Sequence, residues 1–221
     1  MSTIIDINGR DARQRDLVPP EQLAECRATV VGVGAIGRQV ALQLSAMGVP
    51  WLQLIDPDEV EIVNLAPQGY LESDLGRAKV QATADLCCQI NPVIDIVMET
   101  ARFRRSMEIG NVLFCCVDDI EVRRRIWESV QARAKFFVDG RMSAEVVRIL
   151  AVADIASRRH YPTTLFAAVE AYQGACTSKS TIFTSNIAAG LMLSQFSKWL
   201  RRIPVDRDIT LNLLAAELTV G

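Results

Sequence analysis

The chain has a single histidine, and none of its six cysteines form a C-x-x-C pair. Zinc sites of the usual ligand spacing are therefore not expected. Long apolar runs are missing too. The most apolar late stretch, residues 187–200, is interrupted by Ser194, Gln195, Ser197 and Lys198, which excludes an unbroken membrane span. The opening MSTIIDINGRDARQRD has no apolar core and carries acids, so neither a signal peptide nor a membrane anchor is expected and the expectation is a cytoplasmic protein. Nor is there an excess of positive charge. The net charge of -2 argues against nucleic-acid binding by broad charge neutralisation. The arginine clusters at 104–105, 123–125, 158–159 and 201–202 read as solvated helix faces and ends.

What is present suits one substantial globular domain: 221 residues, half of them apolar and 23% charged. Apolar β-branched runs alternate with helical patterns through the first two thirds. Strands are predicted at residues 28–33 (ATVVGV), 51–56 (WLQLID), 94–99 (IDIVME), 111–117 (NVLFCCV) and 135–140 (KFFVDG). Helices are predicted over 35–48, 78–89 and 120–134, the first closed by Gly48 and the second stopped by Asn91-Pro92. This rhythm predicts an α/β fold: a Rossmann-like doubly wound sheet with a parallel core. The last third departs from it. Residues 145–154 read as a strand pairing with no intervening helix, 157–180 as a polar loop, 185–201 as a helix and ITLNLLAAEL as one final strand. The predicted organisation is a single domain over 1–221. It has an N-terminal arm and helix to residue 27, a nucleotide-binding core at 28–140, and a mixed or antiparallel C-terminal extension at 141–221.

Gly32, Gly34 and Gly37 form G-x-G-x-x-G between a predicted strand and helix. The first glycine suits a tight turn, the second close approach of a phosphate, the third helix–strand packing. Phosphates would then face free N–H groups at the positive end of the helix. Asp56 ends the next strand, where a carboxylate accepts hydrogen bonds from ribose hydroxyls. These features fit NAD and ATP alike.

The following segment discriminates. The string LIDPDEVEIVNLAPQ, with Lys79 opening a helix and a strand ending in CCVDD, resembles the E1-like activating enzymes. That family includes the ThiF and MoeB sulfur-carrier adenylyltransferases and the ubiquitin-activating enzymes, and the resemblance runs from about Arg10 to the helix before Arg201. It implies ATP rather than NAD as the nucleotide. Asp56 matches the ribose-binding carboxylate, Asn64 and Gln68 the polar residues of N-L-x-R-Q, and Lys79 the phosphate-reaching lysine. Asp118 matches the aspartate associated with magnesium. Arg10-Asp-Ala-Arg13-Gln14 resembles R-x-x-R-Q, whose second arginine enters the partner subunit's site, so a homodimer is implied. Cys176, in a loop before the late helix among small polar neighbours, matches the cysteine that receives the acyl group or joins in sulfur transfer; Lys179 and helix N–H groups would favour its thiolate. The other thiols read as buried or helical: Cys115 and Cys116 within NVLFCCV, and Cys26, Cys87 and Cys88 on helices.

The implied reaction is ATP-dependent adenylylation of the C-terminal carboxylate of a small ubiquitin-like or sulfur-carrier protein with a glycine tail. Two anions must approach, so Lys79, a cross-subunit Arg13 and magnesium near Asp118 would offset the developing charge. The bland alternatives are a surface lysine, Asp118 as a helix N-cap and Asn64 as a turn former. At Pro67 the chain departs from the family's arginine, and Arg77, Arg38 and Arg10 are the candidate substitutes. Two rivals follow: a catalytically weakened scaffold subunit, suggested by Pro67, and an NAD-dependent oxidoreductase, suggested by the glycines and Asp56 alone.

Overall fold

The computed structural model describes residues 9–166 and 180–221. Its centre is an eight-stranded sheet in the order β3-β2-β1-β4-β5-β6-β7-β8. The strands are β1 Arg27–Val31, β2 Trp51–Ile55, β3 Asp95–Glu99, β4 Val112–Cys115, β5 Phe136–Ser143, β6 Val146–Val152, β7 Asp208–Asn212 and β8 Glu217–Val220. The first five run parallel and the remaining three antiparallel. Helices are α1 Pro20–Ala24, α2 Ala35–Met47, α3 Leu65–Gln68, α4 Lys79–Ile90, α5 Ile120–Val130, α6 Ile155–His160 and α7 Ile182–Leu200. The predicted α/β fold with a mixed C-terminal extension is the observed one. No helix among the described residues is long and apolar enough to cross a membrane.

Burial explains why the central strands read as continuous apolar runs. Parallel strands covered on both faces have no solvent side on which to alternate. On one face α2, α4 and α7 pack against Val30, Leu54, Phe114 and Val138; on the other, α5 and the turn after α6 cover Val31, Leu113 and Phe137. Thr29, fully buried in β1, is satisfied by giving its hydroxyl proton to Gln53 Oε1 at 2.9 Å and accepting from the Gly110 N–H at 2.9 Å. Gly48 ends α2 in the left-handed region (φ 94°), its N–H returning to Leu44 and Ser45.

Three expectations need correcting. ITLNLLAAEL is a hairpin rather than one strand: β7 turns back through residues 213–216, with Ala216 at φ 54° and the Ala215 N–H on Asn212 Oδ1. The polar stretch from 157 is partly ordered as α6 and a 3-10 turn at Tyr161–Thr164, which drives Tyr161 into the core. The late helix starts at Ile182 instead of 185, because Thr181 caps it with its hydroxyl on the Thr184 N–H. Smaller shifts move other boundaries by a few residues; β5 continues to Ser143 once it has β6 as an antiparallel partner.

Tyr161 also completes a buried polar centre. Asp139, fully buried on β5, accepts from Arg123 of α5, from Arg141 Nε at 2.9 Å and from the Tyr161 hydroxyl at 2.9 Å. Trp127, Phe137 and Tyr161 stack edge to face around it, with ring centres 4.9–5.1 Å apart. Replacing Asp139 by Ala leaves Arg123 in the interior without its carboxylate. The expected loss is about 3–5 kcal/mol of stability, read as a lowered midpoint in urea unfolding.

Candidate nucleotide site

The strand order reverses between β2-β1 and β4, and the carboxyl ends of these strands border a cavity of about 510 Å3. That is where α/β sheets bind ligands, and the volume is in the range of small-molecule sites. The turn from β1 into α2 forms its floor. Gly32 has φ 85°, and a Cβ there would lie 2.8 Å from the Cys116 carbonyl oxygen; a Cβ on Gly37 would overlap the Gly32 carbonyl. Those two glycines are dictated by packing. Gly34 is different: an added Cβ would meet nothing nearer than the Gln68 side chain at 3.8 Å, and Gly34 lines the cavity. No packing contact accounts for a glycine at this position.

Asp56 closes one end of this turn. One carboxylate oxygen accepts the Val33 N–H at 2.6 Å and the other the Asp58 N–H at 2.9 Å. Burial pushes its pKa up, while the two N–H groups and Lys79 oppose that shift. Lys79 is reached through a short antiparallel bridge between Glu59 and Ala78, with its own N–H on the Asp58 carbonyl at 2.9 Å. Its side chain is nearly buried, and the ammonium meets Asp58 Oδ2 at 3.0 Å. It is therefore a cavity lysine held by a largely exposed carboxylate, not a surface lysine. Tyr70 locks the assembly, donating its hydroxyl proton to the Val33 carbonyl at 2.6 Å.

On the β4 side, two adjacent aspartates take different tasks. Asp119 is the N-cap of α5, accepting from the N–H groups of Glu121 at 2.7 Å and Val122 at 2.9 Å. Asp118 takes no part in the cap; both aspartates are exposed and line the cavity. No group of three or more His, Cys, Asp or Glu ligands occurs among the described residues. The hard oxygen of Asp118, facing a cavity suited to phosphates, fits the way magnesium is held by one or two carboxylates together with substrate oxygens.

The remaining expected residues divide. Gln68 lines the cavity, and its Oε1 is buried without a hydrogen-bond donor. Asn64 does not line it; its Oδ1 accepts the Glu61 N–H at 2.9 Å and stabilises the 3-10 turn before α3. Arg13 is exposed on the segment that packs at the C-terminal end of α2, where Gln14 donates to the Met47 carbonyl at 2.8 Å. The 13 residues of α2 separate it from the glycine turn by about 20 Å. Arg13 thus belongs to a different part of the surface from its own chain's cavity. Cys176 and Lys179 lie outside the described residues; Ser180 lines the cavity. His160 sits on α6 with Nε2 at 2.9 Å from Asp208, away from the cavity.

Two lining residues escaped the sequence reading. Arg102 follows the end of β3, and Arg125 lies in α5, both exposed at the cavity. The signal was available for Arg102, since ligands collect beyond the carboxyl ends of parallel strands. Arg125 was hidden in a triplet whose first member, Arg123, is buried against Asp139.

Similarity to known proteins places the chain in a family and supports its fold. The ThiF family signature matches residues 11–214. The molybdopterin-synthase adenylyltransferase of Salmonella typhimurium is 32% identical over 117 residues, covering 50% of this chain and 47% of that protein. Ubiquitin-like modifier-activating enzyme 5 of Caenorhabditis briggsae is 28% identical over 143 residues, covering 58% and 33%. The maize adenylyltransferase and sulfurtransferase MOCS3-2 is 40% identical over 77 residues, 34% of this chain and 16% of that one. The matched segment thus spans less than half of each of these relatives. Among solved structures, E. coli MccB crystallised with ATP superposes with a TM-score of 0.76 at 16% identity, covering 97% of this chain and 71% of that chain. PaaA superposes with a TM-score of 0.78 at 16% identity, covering 100% and 75%. At that identity the likeness is one of fold.

Loss of the cap has a measurable cost. Asp119→Ala is expected to lower stability by about 1 kcal/mol, the usual value of a helix N-cap, read as a lowered midpoint in urea unfolding. Gly34→Ala is expected to leave the melting temperature unchanged while weakening ATP binding at least tenfold in calorimetric titration. A large drop in melting temperature for Gly34→Ala would show that the glycine serves packing instead.

Proposed function

Because the chain belongs to the ThiF family, we propose that it adenylylates the C-terminal carboxylate of a small ubiquitin-like or sulfur-carrier protein, using ATP. The observation that carries this reading is the joint placement of an open Gly34, the nearly buried Lys79 and an unencumbered Asp118 around one cavity. The names of its relatives, adenylyltransferases for molybdopterin synthase and for a sulfur carrier and a modifier-activating enzyme, support it.

A carboxylate is already a nucleophile at neutral pH, so no protein base is needed. Its oxygen attacks the α-phosphorus, the bond to the bridging oxygen of the β-phosphate breaks, and pyrophosphate leaves with the electron pair. The residues of this chain supply position and charge. Asp56, its oxygens already fixed by two backbone N–H groups, accepts hydrogen bonds from the ribose hydroxyls. The N–H groups of the Gly34–Gly37 turn face the phosphates. Lys79 exchanges the exposed Asp58 carboxylate for phosphate oxygens, which strengthens an existing ion pair's worth by moving it into a drier site. Asp118 would hold magnesium, whose positive charge would be available to offset that of the phosphates. Arg13 would act in the cavity of a second copy, making a homodimer the working unit. Gln68, with its unsatisfied Oε1, would accept from the nucleotide or from an amide of the carrier tail.

Cys176 is proposed to take over the acyl group. Its thiolate would attack the acyl carbon, expel AMP and leave a thioester. It is four positions before the cavity-lining Ser180, a reach of at most about 14 Å of extended chain.

ATP–pyrophosphate exchange in the presence of candidate carriers tests this. Asp118→Ala should abolish exchange and keep the fold, whereas Cys176→Ala should retain exchange and block only the later transfer. Exchange lost equally in both variants would overturn that division of roles. ATP binding with no exchange on any carrier would identify a nucleotide-binding scaffold, and NAD binding without ATP binding would overturn the reading altogether.

A further inference from the structure

Of the three arginines that are candidates to replace the one absent at Pro67, two are engaged elsewhere. Arg77 pairs with Asp74 and Asp85, and Arg10 donates to Asn91 and the Ser45 carbonyl. Arg38 is different. It is the fourth residue of α2, one turn in from Gly34, and its side chain is wholly buried. Nη1 donates to Thr83 Oγ1 at 3.1 Å, and the guanidinium lies 4.0 Å from the centre of the Tyr70 ring. Nε and Nη2 are buried with no hydrogen-bond partner, and no carboxylate pairs with Arg38 among the described residues.

This is an unfavourable place for a cation. A guanidinium keeps its charge at any physiological pH. A buried charge without a counter-charge is strongly destabilising. The first turn of a helix is also the positive end of its dipole, which repels cations and attracts anions. A hydroxyl and an aromatic face offset only part of this.

Its position says what would offset the rest. Tyr70, stacked on Arg38, donates its hydroxyl proton to the Val33 carbonyl at 2.6 Å and also lies 3.5 Å from the Lys79 carbonyl oxygen. Val33 in turn gives its N–H to Asp56. One ring therefore separates Arg38 from the glycine turn and from the start of the Lys79 helix, the two walls that would hold phosphate. Through such an interior, charge is poorly screened.

We propose that Arg38 is a buried counter-charge for the nucleotide phosphates, a positioning residue that acts through the glycine turn without touching the ligand. It rests on the nucleotide reading above. In the ligand-free protein its charge is destabilising; an anion on the Gly34–Gly37 turn relieves that burden. Binding and stability are thus coupled at one side chain.

Arg38→Met keeps the apolar stem and removes the charge. The ligand-free variant is expected to melt at or above the wild-type temperature. Its ATP affinity should fall about tenfold, the size of a unit-charge interaction across roughly 10 Å at an effective dielectric near 20. AMP should lose less, and adenosine nothing. Arg38→Lys, which keeps the charge, should retain most of the ATP affinity. Equal losses for ATP and adenosine, or a Met variant that melts lower or fails to fold, would show a merely structural arginine and overturn the proposal. A wild-type protein that binds no ATP would instead overturn the nucleotide reading, so the two failures are separable.

Discussion

There is no room for a single carbon atom between the Gly37 Cα and the Gly32 carbonyl, and little more between Gly32 and Cys116. This close approach of β1, α2 and β4 is the constraint from which the site follows. It bends the chain sharply enough for the first turn of α2 to point its N–H groups out of the sheet. It also brings the ends of β1 and β4 level, so that residues following each face the same cavity. Asp56 then ties β2 to the turn through Val33, and Tyr70 ties the turn to the segment leading into α4. Packing accounts for Gly32 and Gly37 and makes no such demand at Gly34.

The two halves of the sheet carry different burdens. The parallel half gathers strand ends and therefore the cavity. The antiparallel half begins where β5 turns into β6, at Ala144 with φ 51°, and is fastened by side chains instead. Arg148 reaches from β6 to Asp208 on β7, and His160 of α6 meets the same carboxylate. Between the halves lies Asp139. Its arginine partner Arg123 also donates to the Val117 carbonyl, so the ionic centre of the core braces the loop that carries Asp118.

Much of this was legible beforehand because the signals were local. Alternating strands and helices, the glycine spacing, the acid closing β2 and the lysine opening α4 each depend on neighbours in sequence. What was hidden depended on neighbours in space. In ITLNLLAAEL the turn signal is Asn212 alone, without glycine or proline; pairing of β8 with β7 places Ala216 in a conformation its side chain disfavours. Tyr161 sits in a polar stretch, yet the carboxylate of Asp139 and two aromatic rings draw it inward. Asn64 carries a family motif but is engaged by its own turn. Arg38 stood in the sequence as one of three candidate substitutes, because burial without a counter-charge leaves no trace there.

The pair Asp118 and Asp119 has a consequence for descent. Both line the cavity, but only Asp119 caps the helix, so a change at Asp118 leaves the cap in place. A lineage could exchange Asp118 for another residue and inherit an intact, expressible protein with the same surface for partners. Had one aspartate done both jobs, each such change would also have removed the protein. Adjacent residues with separate duties make silenced copies easy to retain, and allow an enzyme fold to pass into service as a binding subunit without an unstable intermediate.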